Sequence, residues 1–101
     1  MSSSDEMKVA LAQISPIWLS KEKTIQKIEK TILDASARGA ELIVFGEGLL
    51  PGYPFWLSLT KATQFDSKMQ KEIFAHYVRN SVSIEKNELE SICALAKEKG
   101  I

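Results

Sequence analysis

Val9-Ala-Leu-Ala-Gln-Ile14 and Glu41-Leu-Ile-Val-Phe45 decide the fold, and the residues between them decide how the two are joined. The first is a short apolar run without clean polar alternation, the pattern of a strand covered on both faces, as in a parallel or mixed sheet packed under helices. The second is a run of β-formers bounded by Gly on each side. Pro16 breaks away from the first run, and Ser20 is placed to cap the next element. Ile25, Ile28, Ile32 and Ala35 then recur at helical spacing, while Lys27, Lys30 and Asp34 fall elsewhere on the wheel. Arg38 suits the negative end of that helix, and Gly39 suits a left-handed residue just past it. Strand, helix and strand in this order predict a β-α-β unit with parallel strands and a right-handed crossover.

Further along, the pattern is irregular from Gly46 to Leu59, and helical spacing then resumes. Ser67-Lys-Met-Gln70 fits a capping box, and Met69, Ile73 and Tyr77 lie four apart on one face. A last helix is expected over about 86–99, with Leu89, Ile92, Cys93 and Ala96 as its buried stripe. Lys97 and Lys99 favour its C-terminus, and Gly100 stops it. Ile101 after that stop reads as the first step of a third strand. Two strands and three helices leave an open sheet edge and uncovered apolar helix faces, so the expectation is the N-terminal part of a larger α/β domain. Residues 1–7 are expected to form a disordered tail and residues 8–101 the domain portion. No internal repeat, linker or low-complexity segment interrupts it.

Composition bounds the function classes. The 101 residues are 45% apolar and 26% charged, the profile of an ordinary globular domain. Thirteen Lys and Arg balance thirteen Asp and Glu, which argues against nucleic acid, since displacing counterions from phosphate takes a cationic surplus. One Cys and one His do not make a structural zinc site, and a lone Cys permits no internal disulfide. The polar, acidic N-terminus lacks the cationic and then apolar run of a signal peptide, and no stretch is apolar enough to span a bilayer. The expectation is a soluble, cytoplasmic protein without a membrane partner.

Chemistry is concentrated in Phe45-Gly-Glu-Gly-Leu-Leu-Pro-Gly-Tyr-Pro-Phe-Trp56. Ligands of open α/β sheets bind beyond the carboxyl ends of strands, and Glu47 stands just past such an end between Gly46 and Gly48. Those glycines allow backbone conformations that other residues resist and let a substrate approach closely. On the residues alone, two readings of Glu47 stand. It is a solvated acid on a strand-to-loop turn, or it is a carboxylate walled in by Leu49, Leu50, Tyr53, Phe55 and Trp56. In the second case desolvation raises its pKa toward the range of a general base. Pro51-Gly52 suits a tight turn, and Tyr53-Pro54 admits a cis or a trans bond. Tyr53, Phe55 and Trp56 could line a pocket, pack as core or form a subunit contact, and for Phe55 and Trp56 packing is favoured. Cys93 and Lys97, four apart, imitate a thiol with a cationic activator, but a Cys on a buried stripe is an inert small hydrophobe. His76 has no Ser or Cys partner at a recognisable spacing and reads as a surface or packing residue.

The stretch Lys8-Val-Ala-Leu-Ala-Gln-Ile, together with Gly39-Ala-Glu-Leu-Ile-Val-Phe-Gly-Glu-Gly-Leu-Leu-Pro-Gly-Tyr-Pro-Phe-Trp, resembles the start of the nitrilase (carbon–nitrogen hydrolase) family. Tyr77-Val-Arg-Asn-Ser-Val82 and the closing Lys-Gly-Ile also resemble nitrilases at matching places. The resemblance covers residues 8–101 and accounts for about the N-terminal third of a family member. Pro-Gly-Tyr-Pro-Phe-Trp resembles the nitrile-cleaving branch more than the amidase branches. One residue departs from the pattern: the family usually has Pro directly before its catalytic Glu, and this chain has Gly46.

That resemblance implies an α-β-β-α sandwich, incomplete in this chain, with an active site of Cys, Lys and Glu and no metal or organic cofactor. It implies that Glu47 is the general base and that Tyr53 and Trp56 contact a small nitrile or amide substrate. The family's Lys and Cys lie downstream of the region covered, so Cys93 and Lys97 do not take their places and the chain alone is expected to be inactive. Homo-oligomers, often spirals, are implied for the full-length form. Two other functions remain open: an amidase or cyanide-hydrolysing member of the same superfamily, and a non-catalytic remnant that docks on a full-length homologue. Exposed apolar faces are expected to make the isolated chain poorly soluble.

Overall fold

A computed structural model of the chain describes residues 6–46, 48–50 and 68–101. Strand β1 (Val9–Ala12) leads to helix α1 (Lys21–Ala37), and β2 (Leu42–Phe45) follows. Helices α2 (Lys68–Arg79) and α3 (Glu90–Lys99) complete the order. The two strands pair in parallel, from Val9 opposite Leu42 to Ala12 opposite Phe45. The expected β-α-β unit is therefore present. The first strand is two residues shorter than its apolar run, because Gln13 and Ile14 lie beyond the end of β2 and have no ladder to join. The second begins at Leu42 rather than Glu41, whose N–H already donates to the Lys8 carbonyl at 2.8 Å. Among the described residues no helix is long and apolar enough to cross a membrane.

The core sits between α1 and one face of the sheet. Ile28, Ile32 and Ala35 are buried, and Ile28 and Ile32 cluster with Leu49. Ile43 and Phe45 pack on this cluster from the sheet, and Ile92, Leu95 and Ile101 from the C-terminal region. Each fully buried aliphatic side chain contributes about 1.5–3 kcal/mol through water exclusion. Ile25, expected on the same stripe, is only half-buried. The stripe instead starts at Thr24, the most buried side chain described at 1% exposure. Its hydroxyl accepts from the Ile17 N–H (3.0 Å) and lies 2.9 Å from the Ser20 carbonyl and 3.0 Å from that of Ile17, donating to one of them. A buried hydroxyl is tolerated only when paired in this way. Ser20 does occupy the N-cap, but its side chain makes no capping bond; the Thr24 N–H bonds the Ser20 carbonyl (3.0 Å) instead.

At the other end of α1, Gly39 takes φ +84°, the left-handed residue the sequence calls for. Arg38 is the C-cap, and the Lys8 ammonium, arriving from the start of β1, donates to its carbonyl at 3.1 Å. Gly100 closes α3 in the same left-handed manner (φ +66°). The start of α3 departs from expectation. It begins at Glu90 rather than near residue 86, because Asn87 sits at φ +55°, which a right-handed helix cannot contain.

Cys93 needs a correction. It is exposed, not part of a buried stripe. Helix α3 meets the core through Ile92 and Leu95, and Cys93 lies about 100° around the helix from Ile92. In α2, Ile73 and Tyr77 are half-buried, and the Tyr77 ring packs on Trp18 at 6.2 Å between centroids. Met69, expected on their face, is largely exposed, as are Phe74 and Val78. The Ser67 capping box and the Pro51-Gly52 and Tyr53-Pro54 turns lie outside the described residues.

Candidate active site

Parallel pairing brings the carboxyl ends of both strands to one end of the sheet. There the chain leaves β2 at Gly46 and leaves β1 at Gln13 and Ile14, and a concavity of about 240 Å³ opens among Gln13, Ile14, Val44 and Gly46. Glu47, the expected base, follows immediately in sequence. Glu47, Tyr53 and Trp56 themselves lie outside the described residues.

The two glycines beside Glu47 differ. Gly48 has φ +74°, a conformation that a side chain would strain. Gly46 has no positive φ, and a Cβ placed on it would meet nothing within 4 Å among the described residues. After Gly48 the chain turns inward, with Leu49 buried beside Ile28 and Ile32. This anchors the segment following Glu47 to α1 through side-chain packing.

A second cleft, of about 360 Å³, lies on the same side. Gly46, Gly48 and Leu49 supply one wall, and Val82 and Leu89, from the segment joining α2 to α3, supply another. The Lys21 ammonium, at the first residue of α1, pairs with the Glu88 carboxylate and donates to the Ser81 carbonyl at 3.3 Å. The Lys21 N–H donates to Asn80 Oδ1 at 3.2 Å. The hydrogen bond from Lys21, and then that from the Ser83 N–H, hold the Glu88 carboxyl below the ordinary glutamate value.

Composition, periodicity and spacing missed this polar network. Thr24 could have been found, because 24, 28, 32 and 35 continue one helical stripe; Lys21 and Glu88, 67 residues apart in sequence, carry no local signal of their pairing. Of the remaining chemical candidates, His76 and Lys97 are exposed, and Cys93 lines a different cleft with Ile84, Asn87 and Glu90 that shares Leu89 with the one beside Gly46.

Comparison with known proteins agrees with this picture. The chain is 30% identical over 96 residues to an arylacetonitrilase of Aspergillus oryzae, covering 95% of this chain and 27% of that protein. It is 34% identical to an arylacetonitrilase of Hypocrea virens (94% and 27%) and 33% identical to a nitrilase of Meyerozyma guilliermondii (92% and 27%). It thus spans little more than a quarter of the length of the curated relatives it matches. No solved structure matches. The parallel β-α-β unit accords with a match of the family model described as carbon-nitrogen hydrolase over residues 8–101, and the chain belongs to that family.

Proposed function

We propose that this chain supplies the general base and part of the pocket wall of a nitrile hydrolase. The reading rests on one observation above all: in sequence Glu47 comes two residues after Phe45, which ends β2, and ligands of open α/β sheets bind beyond such carboxyl ends. The family match over residues 8–101 and the nitrilase and arylacetonitrilase names of its relatives support it. In this mechanism Glu47 takes the proton of a cysteine thiol as its sulfur attacks the nitrile carbon, giving a covalent thioimidate. Water, activated by the same carboxylate, adds to the thioimidate and ammonia leaves. A second water cleaves the resulting thioester to the acid and restores the thiol. A lysine ammonium stabilises the charge that builds on the tetrahedral intermediates. Tyr53 and Trp56 line the substrate side of the pocket. Cysteine and lysine both come from sequence that corresponds to the relatives' remaining length, within the α-β-β-α sandwich and homo-oligomer expected of the complete enzyme.

Ammonia release from phenylacetonitrile tests the proposal. The chain alone is expected to release none. Joined to the remainder of the Hypocrea virens relative in place of that protein's matching quarter, it is expected to turn the nitrile over. Glu47→Gln should then lower the rate by at least about 10²-fold, the usual worth of a positioned base. Undiminished turnover in Glu47→Gln, or turnover by the unjoined 101-residue chain, would overturn it.

A further inference from the structure

Residues 80–89, between α2 and α3, close on themselves and are tied to α1 at one point. The Ser83 N–H donates to Glu88 Oε1 at 2.5 Å, and the Glu88 N–H donates back to the Ser83 carbonyl at 3.3 Å. The other carboxylate oxygen of Glu88 meets Lys21, which also holds Ser81 and Asn80. Val82 and Leu89 stand immediately outside this closed loop on either side, and both face the cleft beside Gly46 and Leu49. A contact between the first residue of α1 and Glu88 therefore bears on where two apolar wall residues sit.

We propose that the Lys21–Glu88 ion pair is an acid-sensitive latch that keeps Val82 and Leu89 in the wall of the cleft. Lys21 and Glu88 are then positioning residues. The latch bears on catalysis only if the cleft belongs to the active site read above; the latch itself does not depend on that reading.

The pair is withdrawn from solvent, with side chains 22% and 18% exposed, whereas the Lys68–Glu72 pair of α2 is 91% and 67% exposed. Screening by water and salt is correspondingly weaker at Lys21–Glu88. Two cations act on Glu88, Lys21 from α1 and Lys86 from its own loop. Glu22 and Glu29 of α1 line a further cleft together with Lys21 and Glu88, Glu29 accepting from the Ser91 hydroxyl of α3 at 2.6 Å. Because the Glu88 pKa is depressed in the folded chain, the stability it contributes is fully present at neutral pH. That stability is lost as pH falls through the lowered value, below the ordinary glutamate range. Protonation removes the charge that holds Lys21 and weakens the bond from Ser83 together.

The test is an acid titration of the ¹³C-labelled 101-residue chain by NMR, following the Glu88 carboxyl with the methyl groups of Val82, Leu89 and Ile32. The expected result is that the Val82 and Leu89 methyls shift with the same midpoint as the Glu88 carboxyl while the Ile32 methyls stay fixed. Glu88→Gln and Lys21→Met should abolish the shared midpoint. Methyls that ignore the Glu88 titration in the unsubstituted chain would overturn the latch, as would an unchanged midpoint in Glu88→Gln. Since the unsubstituted chain decides the first point, poor folding of a variant does not rescue the idea. Loss of the nitrilase reading would appear in ammonia release and leave these spectra unaltered.

Discussion

The two faces of the β1–β2 sheet have almost the same chemistry and opposite fates. Ala10, Ala12, Ile43 and Phe45 point toward α1 and are half-buried, with Ile43 and Phe45 packed on the Ile28–Ile32–Leu49 cluster. Val9, Leu11, Leu42 and Val44 point the other way and stay exposed, Leu11 at 74%. A strand apolar on both sides is the sequence signature of a sheet covered twice. The described residues cover it once. The hydrophobicity of the outer face is therefore not used in holding α1 on the sheet, so the two faces should respond differently to substitution.

The largest effect is expected on the inner side. Ile32→Ala removes a side chain only 2% exposed at the centre of the cluster and should cost about 2–5 kcal/mol, measured by urea unfolding. A loss below about 1 kcal/mol would mean that α1 is not seated on the sheet as described. A smaller effect, about 1 kcal/mol, is expected from Gly39→Ala at the turn that delivers the chain from α1 to β2. The added Cβ would meet only the end of the Lys8 side chain at 3.6 Å, an ordinary contact, so the cost comes from φ +84°. On the outer face, Val44→Thr with Leu11→Lys should change unfolding stability least, by roughly 0.5 kcal/mol or less per site. The same pair should reduce self-association of the chain in light scattering, because it breaks up a continuous apolar surface. Strong destabilisation without any change in association would reverse the distinction between the faces.

Legibility followed the range of the interactions. The two strands, the Ile28–Ile32–Ala35 stripe and the left-handed glycines at 39 and 100 were readable because each depends on residues within one or two turns of chain; the parallel pairing, between residues 33 apart, was readable because a strand, helix and strand connect in only one common way. Helix α3 was placed four residues too early: the apolar spacing runs on through Leu89, but Asn87 adopts a positive φ that spacing does not encode. Cys93 was misassigned because periodicity identifies an apolar arc without saying which part of it meets the core. Glu47 was legible as a candidate from its place after a strand and from the motif around it. The cleft wall of Val82 and Leu89 was not, since it is brought to Gly46 by contacts between distant segments.

The order of elements, the apolar character of both sheet faces and the resemblance to the carbon–nitrogen hydrolases are written in the residues themselves, because propensity, periodicity and motif are properties of neighbouring residues. Packing in three dimensions settles which sheet face α1 covers, that Thr24 is the buried start of its stripe, and that Lys21 meets Glu88. Those outcomes depend on register and packing between segments up to 67 residues apart, and the chemistry of each residue alone is compatible with either answer.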